Sequence, residues 1–153
     1  MKIVILLLFS PMLLVFGALL KNGVLSSEPP GMINRLKQAL TNNVAETRDD
    51  HQYAELRTPV IAAAADETWQ RALQAGQTLG WELESSDQAA GSQHWVITTA
   101  VFRFKDDFRV AIGSKEDDLS TLYILSTSRK GTGDLGANLA HVRSFLEAVG
   151  QQP

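Results

Sequence analysis

No cysteine occurs among the 153 residues, which excludes disulfide frameworks, thiolate metal sites, cysteine nucleophiles and a lipid anchor on an N-terminal cysteine. Basic charge is also scarce: 14 Lys and Arg stand against 17 Asp and Glu, a formal charge of −3. A chain so balanced lacks the cationic field that draws nucleic acid, so no nucleic-acid partner is expected. Repeats and low-complexity tracts are absent as well. Charge is missing altogether from one long window, Ile3 to Leu20, which follows Lys2 and contains only Ser10, Pro11 and Gly17 as weakly apolar or breaking residues. As a helix it would be about 27 Å long, just short of a hydrocarbon core of about 30 Å.

That window predicts a transmembrane helix within residues 1–24, in contact with membrane lipid through residues 3–20. A cleaved secretory signal is the rival, because a positive start and an apolar run are common to both. Val15-Phe16-Gly17 and Val24-Leu25-Ser26 are poor cleavage motifs, and they favour the uncleaved anchor. With almost no tail before the span, the expected place is the inner membrane, single-pass, with the domain on the periplasmic side.

Residues 25–58 read as a linker. Ser26-Ser27-Glu28-Pro29-Pro30-Gly31 is turn-rich, and Met32 to Leu40 is a short helix with Ile33, Leu36 and Leu40 on one face and Arg35 and Lys37 off it. Such a helix rests on a membrane surface or packs on the domain as a connector. Thr41 to Pro59 is polar and loop-like.

The globular domain spans 59–150. Asp66 is placed to cap a helix running to Leu79, with Trp69, Ala72, Leu73, Gly76 and Leu79 on its buried face and Gly80 as its stop. Four strand-like runs follow at Trp81 to Ser86, Gln93 to Phe104, Phe108 to Ile112 and Leu119 to Ser128, with a tight turn at Lys105-Asp106. A last helix from Leu135 to Val149 repeats Leu135, Leu139, Val142, Leu146 and Val149 as an apolar stripe. The fold class is α+β: a four-stranded antiparallel meander with two helices on one face, helix-grip-like, preceded by the transmembrane helix.

A hairpin centred between Glu116 and Asp117 sets Lys105 opposite Ser128 and Asp107 opposite Ser126. Lys105, Asp106, Asp107, Arg129, Lys130, Asp134 and Asn138 then gather at one corner, the candidate interaction or structural surface. Asp134 is expected to cap the last helix, and a partly buried Arg129 to clamp an Asp. Asp106 and Asp107 point to opposite faces of an extended segment and do not share a proton.

Catalytic and cofactor chemistry finds little support. Gly131-Thr132-Gly133-Asp134-Leu135-Gly136 fits G-x-G-x-x-G, but a dinucleotide fold needs a further parallel strand with an acidic residue about 20 positions on. His51, His94 and His141 lie in different elements without ligand spacing, so no metal is expected. No serine lies in a nucleophile elbow. Trp69, Trp81 and Trp95 read as core or, alternatively, as walls of an apolar ligand pocket between helices and sheet. The chain is therefore expected to be no enzyme and to use no cofactor.

Asn43-Val44-Ala45-Glu46-Thr47, Leu79-Gly80-Trp81, Thr98-Thr99 with Phe102-Arg103-Phe104-Lys105-Asp106-Asp107, and Ser128-Arg129 through Gly133-Asp134-Leu135-Gly136-Ala137-Asn138 to Val142-Arg143 and Phe145-Leu146 resemble the bacterial domain-of-unknown-function family 1499. The likeness runs from about Thr41 to Val149. It departs from the family pattern at Lys130, Leu125 and His141, where an apolar, a basic and an arginine residue are usual. The resemblance implies a small exported or membrane-associated protein without an established reaction. The functional expectation is a membrane-anchored extracytoplasmic interaction or accessory module, a subunit of a membrane or envelope protein complex. The alternative is a carrier or sensor of a small apolar ligand.

Overall fold

A computed structural model describes residues 2–99, 103–116 and 118–150, with the backbone alone for residues 2–10. Helices α1 (Lys2–Lys21) and α2 (Met32–Thr41) precede strand β1 (Val44–Glu46), a short helical turn at Ala54–Leu56 and strand β2 (Val60–Ile61). Helix α3 (Ala65–Thr78) leads into β3 (Glu82–Asp87), β4 (Ser92–Thr98), β5 (Lys105–Glu116) and β6 (Leu119–Ser128), and α4 (Ala137–Gly150) ends the fold.

The sheet is antiparallel, in the order β1-β6-β5-β4-β3, and β2 also pairs with β6. It has six strands rather than the expected four. The two extra ones lie in and beside the segment read as polar loop: Val44 to Glu46 pair with Thr127 to Leu125, and Val60 and Ile61 with Thr121 and Ser120. Both are too short to carry a period-2 signal, and their register comes from β6. On the opposite edge every residue of β3 is exposed. Its Glu82, Glu84 and Asp87 discourage pairing with another chain.

Helices α3 and α4 cover one face. Trp95, Phe108, Leu122, Val142 and Phe145 are fully buried between helices and sheet. Trp81 stacks nearly parallel to Phe145 at 5.8 Å and lies 4.6 Å from Phe108. Each such ring removes a large apolar area from water, and three in mutual contact fix how α4 sits on β5. Asp66 lies in the first turn of α3 and does not cap it; the cap position is Ala64, without a side-chain hydrogen bond.

The transmembrane expectation is overturned. Among the described residues no helix is long and apolar enough to cross a membrane. The side chains of residues 3–10, on which that expectation partly rested, lie outside the described residues. The end of α1 is also committed to packing, because Leu19 is buried with Val24 and Ala39 in a small second core. The single-pass, periplasmic placement falls with the span.

Helix α2 follows its apolar pattern only in part, with Leu36 packed against the second core. Ile33 is 80% exposed and Leu40 50%, whereas Arg35 is only 3% exposed. The burial of Arg35 follows from hydrogen bonding: its guanidinium donates to both Glu55 carboxylate oxygens, at 2.6 and 3.2 Å, and to the carbonyls of Glu28 and Pro29. A buried arginine with so many acceptors outweighs the face of a ten-residue helix.

Candidate functional site

The expected corner exists, but the sheet divides it. In the observed register Asp106 pairs with Ser128 and Asp107 with Thr127, one residue from the predicted alignment. The offset comes from the turn, which lies further along the chain than expected with Glu116 paired to Leu119, and the irregularity between Ser114 and Glu116 takes back part of it. Lys105 and Asp106 belong to the strand itself rather than to a tight turn. The connection before them includes residues 100–102, outside the described residues, where the latter part of the predicted Gln93 to Phe104 strand also falls.

On the outer face Arg129 grips Asp107 through two nitrogens, Nε to Oδ2 at 2.9 Å and Nη2 to Oδ1 at 2.7 Å. His94 Nε2 lies 2.8 Å from the same Oδ1. The hydrogen bonds from Arg129 hold the Asp107 carboxyl well below the usual carboxylate range, with His94 helping against partial burial. Arg129 is 40% exposed, not partly buried as expected, and it also reaches Glu84 at 3.7 Å. Lys105 lies 3.8 Å from Glu82, and Lys130 is exposed. A carboxylate holding a histidine is one element of a general base. Here the carboxylate is already neutralised by arginine, and among the described residues no hydroxyl is hydrogen-bonded to His94.

On the inner face Asp106 is 1% exposed and its Oδ2 has no hydrogen-bond partner. That oxygen stands 3.8 Å from His141 Nδ1, which also lacks a partner. Burial raises the Asp106 pKa, aided by the charges of Asp134 and Asp107 and opposed by the Ser128 hydroxyl. Burial, with a smaller effect of Lys21, lowers that of His141 to about 4. Both groups are thus pushed toward their neutral forms. Asn138, fully buried, organises the rest: its Oδ1 accepts from Ser126 Oγ at 2.6 Å, and its Nδ2 donates to the Asn43 carbonyl at 2.7 Å and to Ser128 Oγ at 3.0 Å.

Asp134 caps α4 as expected. Its Oδ1 accepts from the Gly136 amide and its Oδ2 from the Asn138 amide, both at 2.8 Å. The helix begins at Ala137, not Leu135, because Leu135 adopts φ 55° and Gly136 φ 81°. This irregular entry brings the Leu135 amide to the Ala39 carbonyl at 2.9 Å and locks the loop to the end of α2. A Cβ on Gly133 would fall on the Leu40 carbonyl, so the glycine-rich stretch serves close backbone packing rather than phosphate.

One feature carries no obvious sequence signal. Residues of α2, β1 and the Arg48 to Leu56 segment line an open cleft of about 330 Å³, together with Val24, Asp134, Gly136 and Leu139. Arg35 lies over the Tyr53 ring at 4.6 Å, and the buried Tyr53 hydroxyl has no partner. A lone tyrosine beside Leu56 in an otherwise polar stretch was the available sign. Asp49 and Asp50 are exposed, and His51 accepts the Tyr53 amide through Nδ1 at 3.0 Å.

A solution NMR structure from Thermobifida fusca, determined as a structural-genomics target, matches 69% of this chain and 90% of its own at 13% identity, with a TM-score of 0.46. Among curated proteins none matches. A family model described as protein of unknown function (DUF1499) matches residues 24–149, which takes in the whole sheet, the corner and the cleft. The chain belongs to that family.

Proposed function

We propose that this protein is an interaction module, an accessory subunit joined to a protein partner through the apolar surface of α1. The supporting observation is the exposure of that surface: Met12, Leu13, Leu14, Val15, Phe16 and Leu20 are each at least 40% exposed. Contiguous apolar surface of this kind costs about 25 cal/mol per Å² in water, so it marks a contact. The base of α1 is fastened to the domain by Leu19 and by Asn22, whose side-chain amide donates to the Leu135 carbonyl at 2.9 Å. A partner gripping α1 is thereby held beside the domain.

A photo-crosslinking residue at Phe16 of the full chain, expressed in its own cell, tests this. The expected result is one discrete protein adduct, absent when the probe replaces exposed Gln88 and lost in Leu13→Asp without change in the urea midpoint. Equal, diffuse labelling from both positions would overturn the proposal.

A further inference from the structure

We propose that Asn22-Gly23 is a modification site: docking of α1 keeps the pair chemically silent, and once the end of α1 leaves the domain the pair converts to aspartate or isoaspartate, which does not redock. It is the one Asn-Gly step in the sequence. Asparagine before glycine is open to attack by the glycine amide nitrogen on the side-chain carbonyl carbon, because a residue without a Cβ puts nothing in the path. The new N–C bond closes a succinimide, while the side-chain nitrogen takes the amide proton and departs as ammonia. Water then opens either ring carbonyl, giving aspartate or, with one methylene added to the main chain, isoaspartate.

The docked geometry blocks the first step at both reacting groups. The Gly23 amide donates to the Leu20 carbonyl at 3.1 Å, and the Asn22 side-chain amide donates to the Leu135 carbonyl at 2.9 Å, 113 residues away. Val24 is fully buried beside Leu19, with its side chain in the space of any Cβ on Gly136, and so fixes the chain just past the pair. Both members of the pair are also residues that docking requires. Asn22 supplies the donor for Leu135, while Gly23 stands at φ 70° with the Arg143 guanidinium in the space of any Cβ. Deamidation replaces that donor by a carboxylate, which confronts the Leu135 carbonyl with a second acceptor, and the longer isoaspartate chain also misplaces Val24. The product is permanent, so the site records undocking. The chemistry is independent of what grips α1; only the loss of a gripped partner rests on the function proposed for that helix.

Incubation of the full-length chain at mildly alkaline pH, in buffer and in urea above the unfolding midpoint, tests the site when fragment mass spectra follow the mass gain at Asn22 against that at Asn34. Conversion of Asn22 is expected to be at least about tenfold slower in buffer than in urea, as reaction only through a local opening requires. In urea it should outpace Asn34, which precedes arginine. Asn22→Asp, the product made directly, should speed hydrogen exchange of the Gly23 and Val24 amides at least about tenfold while leaving the amides of β5 unchanged. A smaller difference between buffer and urea, Asn34 converting as fast as Asn22 in urea, or wild-type exchange in Asn22→Asp would each overturn the proposal. The conversion rates are read on the unaltered chain and need no variant to fold. Because no readout involves a partner, failure here is distinct from failure of the crosslinking experiment.

Discussion

Asp106 and Asp107 are neighbours of identical chemistry, yet the alternation of β5 gives them opposite environments. Asp107 faces outward to Arg129 and His94 and is held firmly ionised. Asp106 faces inward, where burial favours its neutral form and one oxygen confronts a histidine too far away to bond. The outer face is stabilised by charge that solvent screens, and the inner face by neutral hydrogen bonds that solvent does not reach. Disruption should therefore be costlier inside than outside.

The largest expected effect is at Asn138. Asn138→Ala leaves the Asn43 carbonyl and the Ser126 and Ser128 hydroxyls short of partners in a fully buried place. A loss of about 3–4 kcal/mol in urea unfolding is expected, with misdirected packing where α4 meets β6. A loss below about 1 kcal/mol would mean that the inner network is not what holds the corner.

Next in size is the pH dependence carried by His141. Its pKa falls from an unfolded value near 6.5 to about 4 in the fold, so the unfolded chain takes up the proton first. The stabilisation is complete above about pH 6.5 and is lost as pH falls toward 4, amounting to about 3 kcal/mol over that interval. Asp106 acts in the reverse sense, its raised pKa giving stability at low pH that is lost as pH rises through the folded value. Unfolding free energies at pH 7 and pH 4 should thus show wild type losing about 3 kcal/mol relative to His141→Leu. Parallel curves for the two proteins would show that the histidine is not buried neutral.

On the outer face the effects should be smaller. Arg129→Ala is expected to return the Asp107 pKa toward the ordinary value near 3.9, measured by carboxyl-carbon NMR, with less destabilisation than Asn138→Ala. Lys130→Ala, at an exposed residue, should change neither quantity. If Arg129→Ala unfolds the domain more readily than Asn138→Ala, the ranking of the two faces is wrong.

Much of this contrast could be read in the sequence, because it depends on local rules. The period-2 alternation separates the two aspartates, the apolar stripe places Leu139, Val142 and Val149 of α4 inward, and the position of Asp134 before that stripe marks a cap. What escaped depends on partners distant in the chain. Strands β1 and β2 exist because β6 offers them an edge, and the inward turn of Arg35 depends on Glu55, 20 residues away. The one-residue register error comes from the place where the turn closes, with Glu116 paired to Leu119, which the period-2 pattern on either side does not mark. Tyr53 escaped because its cleft needs four separate segments to form.

The smallest measurable loss is expected at Asp134, where the two faces meet the helix entry. Capping by Asn or Ser usually equals capping by Asp, because a single side-chain oxygen suffices. Here each carboxylate oxygen takes a different amide, Gly136 and Asn138. Asparagine presents only one acceptor oxygen, so Asp134→Asn should lose one of the two bonds and about 0.5 kcal/mol, and Asp134→Ala both and about 1 kcal/mol. The helix dipole adds to the preference for a charged cap, and added salt should narrow the gap between Asp and Asn. A graded series of Asp, Asn and Ala in urea midpoint, compressed at high salt, is the expected outcome. Equal midpoints for Asp and Asn at low salt would show that one oxygen suffices and that the second bond to Asn138 adds nothing to the corner.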